Sequence, residues 1–378
     1  SDGGGIFMRS SSLQLKDLII RDNIASHRGG GILIKNNSNP TLDNILIENN
    51  TASLGGGIHI WDNSNPEIIN SIIINNISED SGGGIYLSSS SATINNSTIS
   101  NNTANNHGGG IYSGNNSSLT LTNSFVSDNF AVGGGGGIDI EGTSVEHSQL
   151  SISNSIIKSN TGGTGGGILG VRTMIIANHS LFYNNIAESG YGGALAFWEG
   201  DVEIINCTIV NNYALGEDSL GEVFSAGGIH SERNLLDIIN SIIYYNEGRQ
   251  VNAGTHEGNL EILFSNIQNW QTGGIHYDGG LDFAGIIGED PLFCDTENGD
   301  FTVRSDSPVL GTGQDGDDMG AYGAGCEPIE GCTDPYAENF NETANVDDGS
   351  CIYPDNGDYS LILVPENFAT IQEAIDYS

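Results

Sequence analysis

The string Gly-Gly-Gly-Ile recurs at Gly3–Ile6, Gly29–Ile32, Gly55–Ile58, Gly82–Ile85, Gly108–Ile111, Gly135–Ile138 and Gly165–Ile168. Weaker copies follow at Gly192-Gly193-Ala194, Gly227-Gly228-Ile229 and Gly273-Gly274-Ile275. Measured at the glycine before the Ile or Ala, the positions are 5, 31, 57, 84, 110, 137, 167, 193, 228 and 274, so the steps are 26, 26, 27, 26, 27, 30, 26, 35 and 46. A register held this tightly points to an architecture that grows by stacking one short unit on the next. Glycine supplies 55 of the 378 residues, roughly twice the usual share, which fits a corner where backbones approach closely or φ is positive.

A second phrase runs between the glycines: alternating apolar residues, an Asn, two apolar positions and a closing Asn. Ile68-Ile69-Asn70-Ser71-Ile72 and Ile239-Asn240-Ser241-Ile242 are two instances. Alternation such as Ile58-His59-Ile60-Trp61 is strand-like, and no segment of the repeats sustains a helical period. A unit of about 26 residues with short strands suits one turn of a parallel β-helix, with turns about 4.8 Å apart. The expected fold is therefore all-β: a solenoid of about ten coils over residues 1–285. Asn residues at a second corner can bond along the stack through their amides.

Gly-Gly-Gly-Ile together with Ile72-Ile73-Ile74-Asn75 and Leu181-Phe182-Tyr183-Asn184 resembles the repeats of chlamydial polymorphic outer-membrane proteins. It is also similar to secreted right-handed β-helix proteins of the pectin-lyase-like group. The resemblance implies a right-handed parallel β-helix; it leaves activity open, because this architecture carries lyases, hydrolases, adhesins and inert stalks.

The last ninety residues change character. Asp290-Pro291-Leu292-Phe293-Cys294 and Met319-Gly320-Ala321-Tyr322-Gly323 resemble the closing segment of secreted β-helix proteins. Residues 286–325 are expected to cover the open edge of the last coil, which would otherwise recruit other strands. Gly331-Cys332-Thr333-Asp334-Pro335 through Asp347-Asp348-Gly349-Ser350-Cys351 is similar to a Cys-bounded module of proteins exported by the type IX route of Bacteroidota, here 326–357. Residues 358–378 carry a capping box at Thr370 and Glu373 and resemble the start of a further β-helix cap. The chain thus reads as part of a longer protein, with neighbouring domains among its partners.

Four of the five cysteines cluster near the end, and nested neighbours suggest the disulfides Cys294 with Cys326 and Cys332 with Cys351. Disulfides imply an extracellular or bacterial cell-surface location. Cys207, inside a strand phrase, reads as core filler. Asp334, Asp347 and Asp348 beside Gly349 suit Ca²⁺, with Asx turns and solvated acids as the alternative.

Forty-eight acids against ten bases give a net charge of -38, which excludes unaided nucleic-acid binding and repels polyanions unless calcium bridges them. No run of 18 apolar residues is present, so direct membrane insertion is not expected. If the Ile after the glycines faces the core, its neighbour faces out. The outward columns read Phe7, Leu33, His59, Tyr86, Tyr112, Asp139, Leu169, Leu195, His230, His276 and, two residues later, Arg9, Lys35, Trp61, Ser88, Gly114, Glu141, Val171, Phe197, Glu232, Asp278. His59, Trp61, Tyr86 and Tyr112 are candidate glycan-stacking residues. No repeat shows convergent acids of the kind hydrolysis needs, and the enlarged turns 211–228 and 246–273, with Glu217, Asp218, Glu222, His256 and Glu257, are the places for a site if the chain is a lyase or hydrolase. Convergent acids beside Arg233 or Arg249 would favour that reading. The favoured function is a rigid adhesin-like scaffold presenting a face or loops to glycans or surface proteins, with polysaccharide cleavage and an inert spacer as alternatives.

Overall fold

The computed structural model describes residues 2–188, 191–215, 226–254, 259–277 and 280–353. They fall into two compact units divided between Gly325 and Cys326.

Each turn of the first unit lays down three strands that pair in parallel with their equivalents one turn away. Ile32–Lys35 pairs with Ile58–Trp61 on the first face, Ser91–Asn95 with Ser118–Thr122 on the second, and Thr98–Ser100 with Phe125–Ser127 on the third. These strands form one large sheet wound around a core. Ile32, Ile58, Ile85, Ile111, Ile138 and Ile168 stack inside it with at most 1% exposure. A short fourth strand per turn, such as Thr51–Leu54, Ile77–Ser81 and Thr103–Ala104, builds a separate seven-stranded parallel sheet. It presents small inward residues, Ala52, Ala104, Ala131 and Ala187.

The glycines follow that fourth strand. Gly55 has φ +67, and a Cβ on Gly56 would lie 2.4 Å from the Ile77 carbonyl oxygen. Only glycine fits so close an approach of consecutive turns. Just before the fourth strand, against the third repeat glycine, Asn23, Asn50, Asn76, Asn102, Asn129, Asn160, Asn185, Asn212 and Asn246 form a continuous ladder. Each Nδ2 donates to the next Oδ1, as in Asn102 to Asn129 at 3.0 Å and Asn129 to Asn160 at 2.9 Å. Nδ2 also donates to a carbonyl of the preceding turn, as Asn129 does to Ile99. Serine ladders complete two more corners, for example Ser71, Ser97, Ser124 and Ser155, each amide donating to the next hydroxyl. Cys207 stands in this serine column: its amide donates to Ser241 Oγ at 3.1 Å and its Sγ to the Ile205 carbonyl. Burial pushes the thiol up to about 12, which leaves it unreactive.

Three expectations change. The 46-residue step between Gly228 and Gly274 is not an enlarged turn: Arg249–Gly254 and Asn259–Leu263 supply the first and second faces of a complete further coil. Its glycine position carries Gln250, whose Oε1 accepts from Asn246 Nδ2 at 2.8 Å and so ends the Asn ladder. The register around residue 195 is shifted by one, because Leu195 pairs with Ile168. Leu195 and Phe197 are core residues at 1% exposure, and Ala196 and Trp198 take the outward positions. Residues 286–325 do more than meet the edge. Ile287 pairs with Asn266 of the turn before the last, but Val303, Val309 and Met319 pack sideways on Ile242 and Tyr244, and Phe301 packs on Leu181 and Val210. Gly320 N–H donates to the Asn240 carbonyl and Ala321 N–H to Thr208 Oγ1. The cover leaves the third-face outward residues Leu181, Thr208 and Ile242 at 1% exposure, whereas Ile72 and Phe125 in the open turns are 45% exposed.

In the second unit Glu330–Gly331 pairs with Val346–Asp347, and Cys332 and Cys351 form a disulfide. Cys294 of the first unit and Cys326 of the second are each disulfide-bonded. Residues 358–378 lie outside the described residues.

Candidate functional site

The outward rings on the first face stack as their register dictates: His59 on Tyr86 at 4.7 Å between centroids and Tyr86 on Tyr112 at 4.9 Å. They do not form an open strip. His59 is 2% exposed, and the Leu54 carbonyl at the end of the fourth strand accepts its ring N–H, while burial, with Arg28 and Lys35 nearby, lowers its pKa to about 3. Tyr86 and Tyr112 are half-buried, and the Arg28 guanidinium lies 4.6 Å over the Trp61 ring. Alternation sends these side chains away from the core, yet His59 is closed over against the end of the fourth strand and Tyr86 and Tyr112 are only partly open.

The three acids of the Cys-bounded module serve their own turns. Asp334 accepts from the Tyr336 amide and the Tyr353 hydroxyl, Asp347 from the Gly349 amide, and Asp348 from the Ser350 amide. These bonds hold the Asp334 and Asp348 carboxyls below the usual range. Glu217, Asp218, Glu222, His256 and Glu257 lie outside the described residues. Arg172 and Arg233 both pair with Glu199, at 2.8 and 3.4 Å, at an outer corner where all three residues have positive φ.

The second face carries what the sequence reading missed. A shallow groove of about 250 Å³ is lined by Ser118, Thr120, Gln149, Ser151, Met174, Ile176, Asp201 and Glu203 with Leu150 and Ile175 beneath. Strand register fixes the layout. Thr120, Ser151, Ile176 and Glu203 are consecutive partners in one column, and Ser118, Gln149, Met174 and Asp201 in the next. Met174 and Ile176, each 45% exposed, therefore make an apolar step between two turns of hydroxyl and amide groups and one turn of carboxylates. The first column then continues as Glu203, Asp237, Glu261 and Asp282, four acids on four successive turns. Burial, together with Glu203 and Asp201, raises the Asp237 pKa. The sequence signal for this ladder exists: Glu203 and Asp237 each sit three residues before the Asn of the strand phrase, and Glu261 three before Phe264, which shares that position's positive φ.

Comparison with known proteins agrees with this architecture. The family model described as "Right handed beta helix region" matches residues 1–146. The fold is a right-handed parallel β-helix. A 36-residue stretch is 63% identical to the chloroplastic ribulose bisphosphate carboxylase/oxygenase activase of Oryza sativa subsp. japonica. A 37-residue stretch is 54% identical to that of Arabidopsis thaliana. The matches cover 9% and 8% of this chain, and 8% of each relative; they concern a local segment of this β-helix protein and carry no argument about its activity. Disulfides and a β-helix fit an extracellular protein, and among the described residues no helix is long and apolar enough to cross a membrane.

Proposed function

We propose that this β-helix is a secreted or surface-displayed, adhesin-like scaffold of bacterial type IX export that binds neutral glycans along the second face. The observation that carries the reading is the groove's chemistry. Sugar rings offer C–H faces and hydroxyl edges, and the groove offers Met174 and Ile176 between Ser118, Thr120, Gln149 and Ser151 on one side and Asp201 and Glu203 on the other. Turns about 4.8 Å apart match the repeat of a sugar chain laid across them. Among the described residues no cation lines the groove, and the acids repel uronates, so neutral polymers are the expected ligands. Calcium at Asp334, Asp347 and Asp348 remains a proposal for the module alone.

Affinity electrophoresis through neutral and acidic polysaccharides tests this. Neutral polymers should retard the protein and Met174→Asp should abolish the effect; no retardation by any neutral polymer, or retardation indifferent to Met174→Asp, contradicts it. One observation favours glycoside hydrolysis as a second reading: burial and the neighbouring Glu203 and Asp201 raise the Asp237 pKa, the direction that a general acid beside a second carboxylate needs. New reducing ends that vanish in Asp237→Asn would establish it.

A further inference from the structure

We infer that His107, Asp139 and Glu141, away from the groove, form a binding site for one divalent transition-metal ion of the zinc class. One ligand-capable atom from each lies within 4.8 Å of the others. His107 ends the short fourth strand's turn, and Asp139 and Glu141 lie on the first-face strand Ile138–Glu141 of the following coil, two residues apart and so on the same outward side. His107 Nδ1 is 2.9 Å from Asp139 Oδ2 and 3.9 Å from Glu141 Oε1.

Four observations lead from the cluster to a cation. Asp139 is fully buried, and its Oδ1 has no hydrogen-bond partner; a buried carboxylate oxygen without a donor is expensive, and a bound cation removes the penalty. Its Oδ2 accepts from the Gly135 amide at 3.0 Å, which fixes the carboxylate's orientation. The Tyr112 hydroxyl donates to Glu141 Oε2 at 2.9 Å, leaving Oε1 toward His107, the supporting bond that metal-binding carboxylates commonly receive. Gly134 keeps the space between ligands clear, since a Cβ there would fall 1.8 Å from Asp139 Oδ2 and 2.6 Å from His107 Nδ1.

The donor set selects the ion. One imidazole nitrogen and two carboxylates suit tetrahedral zinc or its neighbours, whereas calcium takes six to eight oxygens. His107 and Glu141 side chains are 33% and 35% exposed, so the fourth position opens to solvent. The net charge of -38 concentrates divalent cations around the chain.

Isothermal titration of the EDTA-dialysed full chain with zinc chloride, in millimolar calcium to occupy weak carboxylate sites, tests the site. One equivalent should bind saturably, and Co²⁺ in its place should give visible d–d absorbance. Glu141→Gln and His107→Gln should each weaken uptake about tenfold or more. Circular dichroism shows whether each variant folds; if His107→Gln does not, Glu141→Gln carries the test, because Glu141 is the partly exposed ligand. Replacing Asp334, Asp347 and Asp348 together by Asn should leave zinc uptake unchanged. Uptake without saturation, or saturable uptake indifferent to Glu141→Gln, overturns the site.

Discussion

Two buried polar columns run along the same solenoid and behave in opposite ways. The Asn ladder repeats one residue from Asn23 to Asn246, and its amide groups are bonded to the next turn and to a carbonyl of the previous one. The outward column of the first face varies along the stack, from Leu33 through His59, Tyr86, Tyr112 and Asp139 to Leu169, Ala196 and His230. It also holds buried polar atoms without hydrogen-bond partners at His59 Nδ1 and Asp139 Oδ1. Repetition with full satisfaction is what stacking requires; variation with unsatisfied atoms is what a site tolerates. Scaffold and chemistry thus separate within one coil.

The largest expected effect breaks the ladder. Asn129→Ala removes the acceptor of Asn102 and the donor to Ile99 and Asn160. With several buried groups orphaned at roughly 1–3 kcal/mol each, urea denaturation should show a loss on the order of 4 kcal/mol. Next is the outward column at low pH. His59 stays neutral in the fold down to about pH 3, while the unfolded chain protonates it below about 6.5. Stability is therefore full above that pH and falls as pH drops from about 6.5 toward 3. At pH 5 the loss is about 2 kcal/mol. His59→Leu, which copies the buried Leu33 of the preceding turn, should abolish this acid sensitivity in urea titrations at about pH 7 and pH 5. The smallest effect belongs to Cys207→Ser. Ser180 and Ser241 already occupy the flanking turns of its column, so the melting curve should move by less than about 1 kcal/mol.

Much of the fold is legible in the sequence because stacking imposes identity: the glycine corner, the Asn corner and the strand alternation all repeat. What stays hidden has physical reasons. Alternation separates core from non-core positions, but it does not reveal that the fourth strand roofs His59. The turn at Gln250 escapes notice because glutamine replaces glycine and serves the ladder with its side chain. The acid ladder Glu203, Asp237, Glu261 and Asp282 needs the pairing register, since its members are 34, 24 and 21 residues apart. His107 and Asp139 meet across 32 residues, because Gly134 takes the place of His107 one turn on and its missing Cβ leaves room for the contact.

The most direct test of the contrast between the columns is the urea midpoint of Asp139→Asn beside that of Asn129→Ala, at about pH 7 in EDTA. The oxygen of Asp139→Asn can keep the Oδ2 place, where it accepts from both the Gly135 N–H and the His107 ring, while its NH₂ takes the place of Oδ1, the buried oxygen that already has no partner. Because one unpartnered buried group replaces another, Asp139→Asn should shift stability by no more than about 1 kcal/mol in either direction, while Asn129→Ala loses several times that. An Asp139→Asn protein as destabilised as Asn129→Ala would make the varying column a structural element like the ladder, and would contradict the separation of scaffold from site.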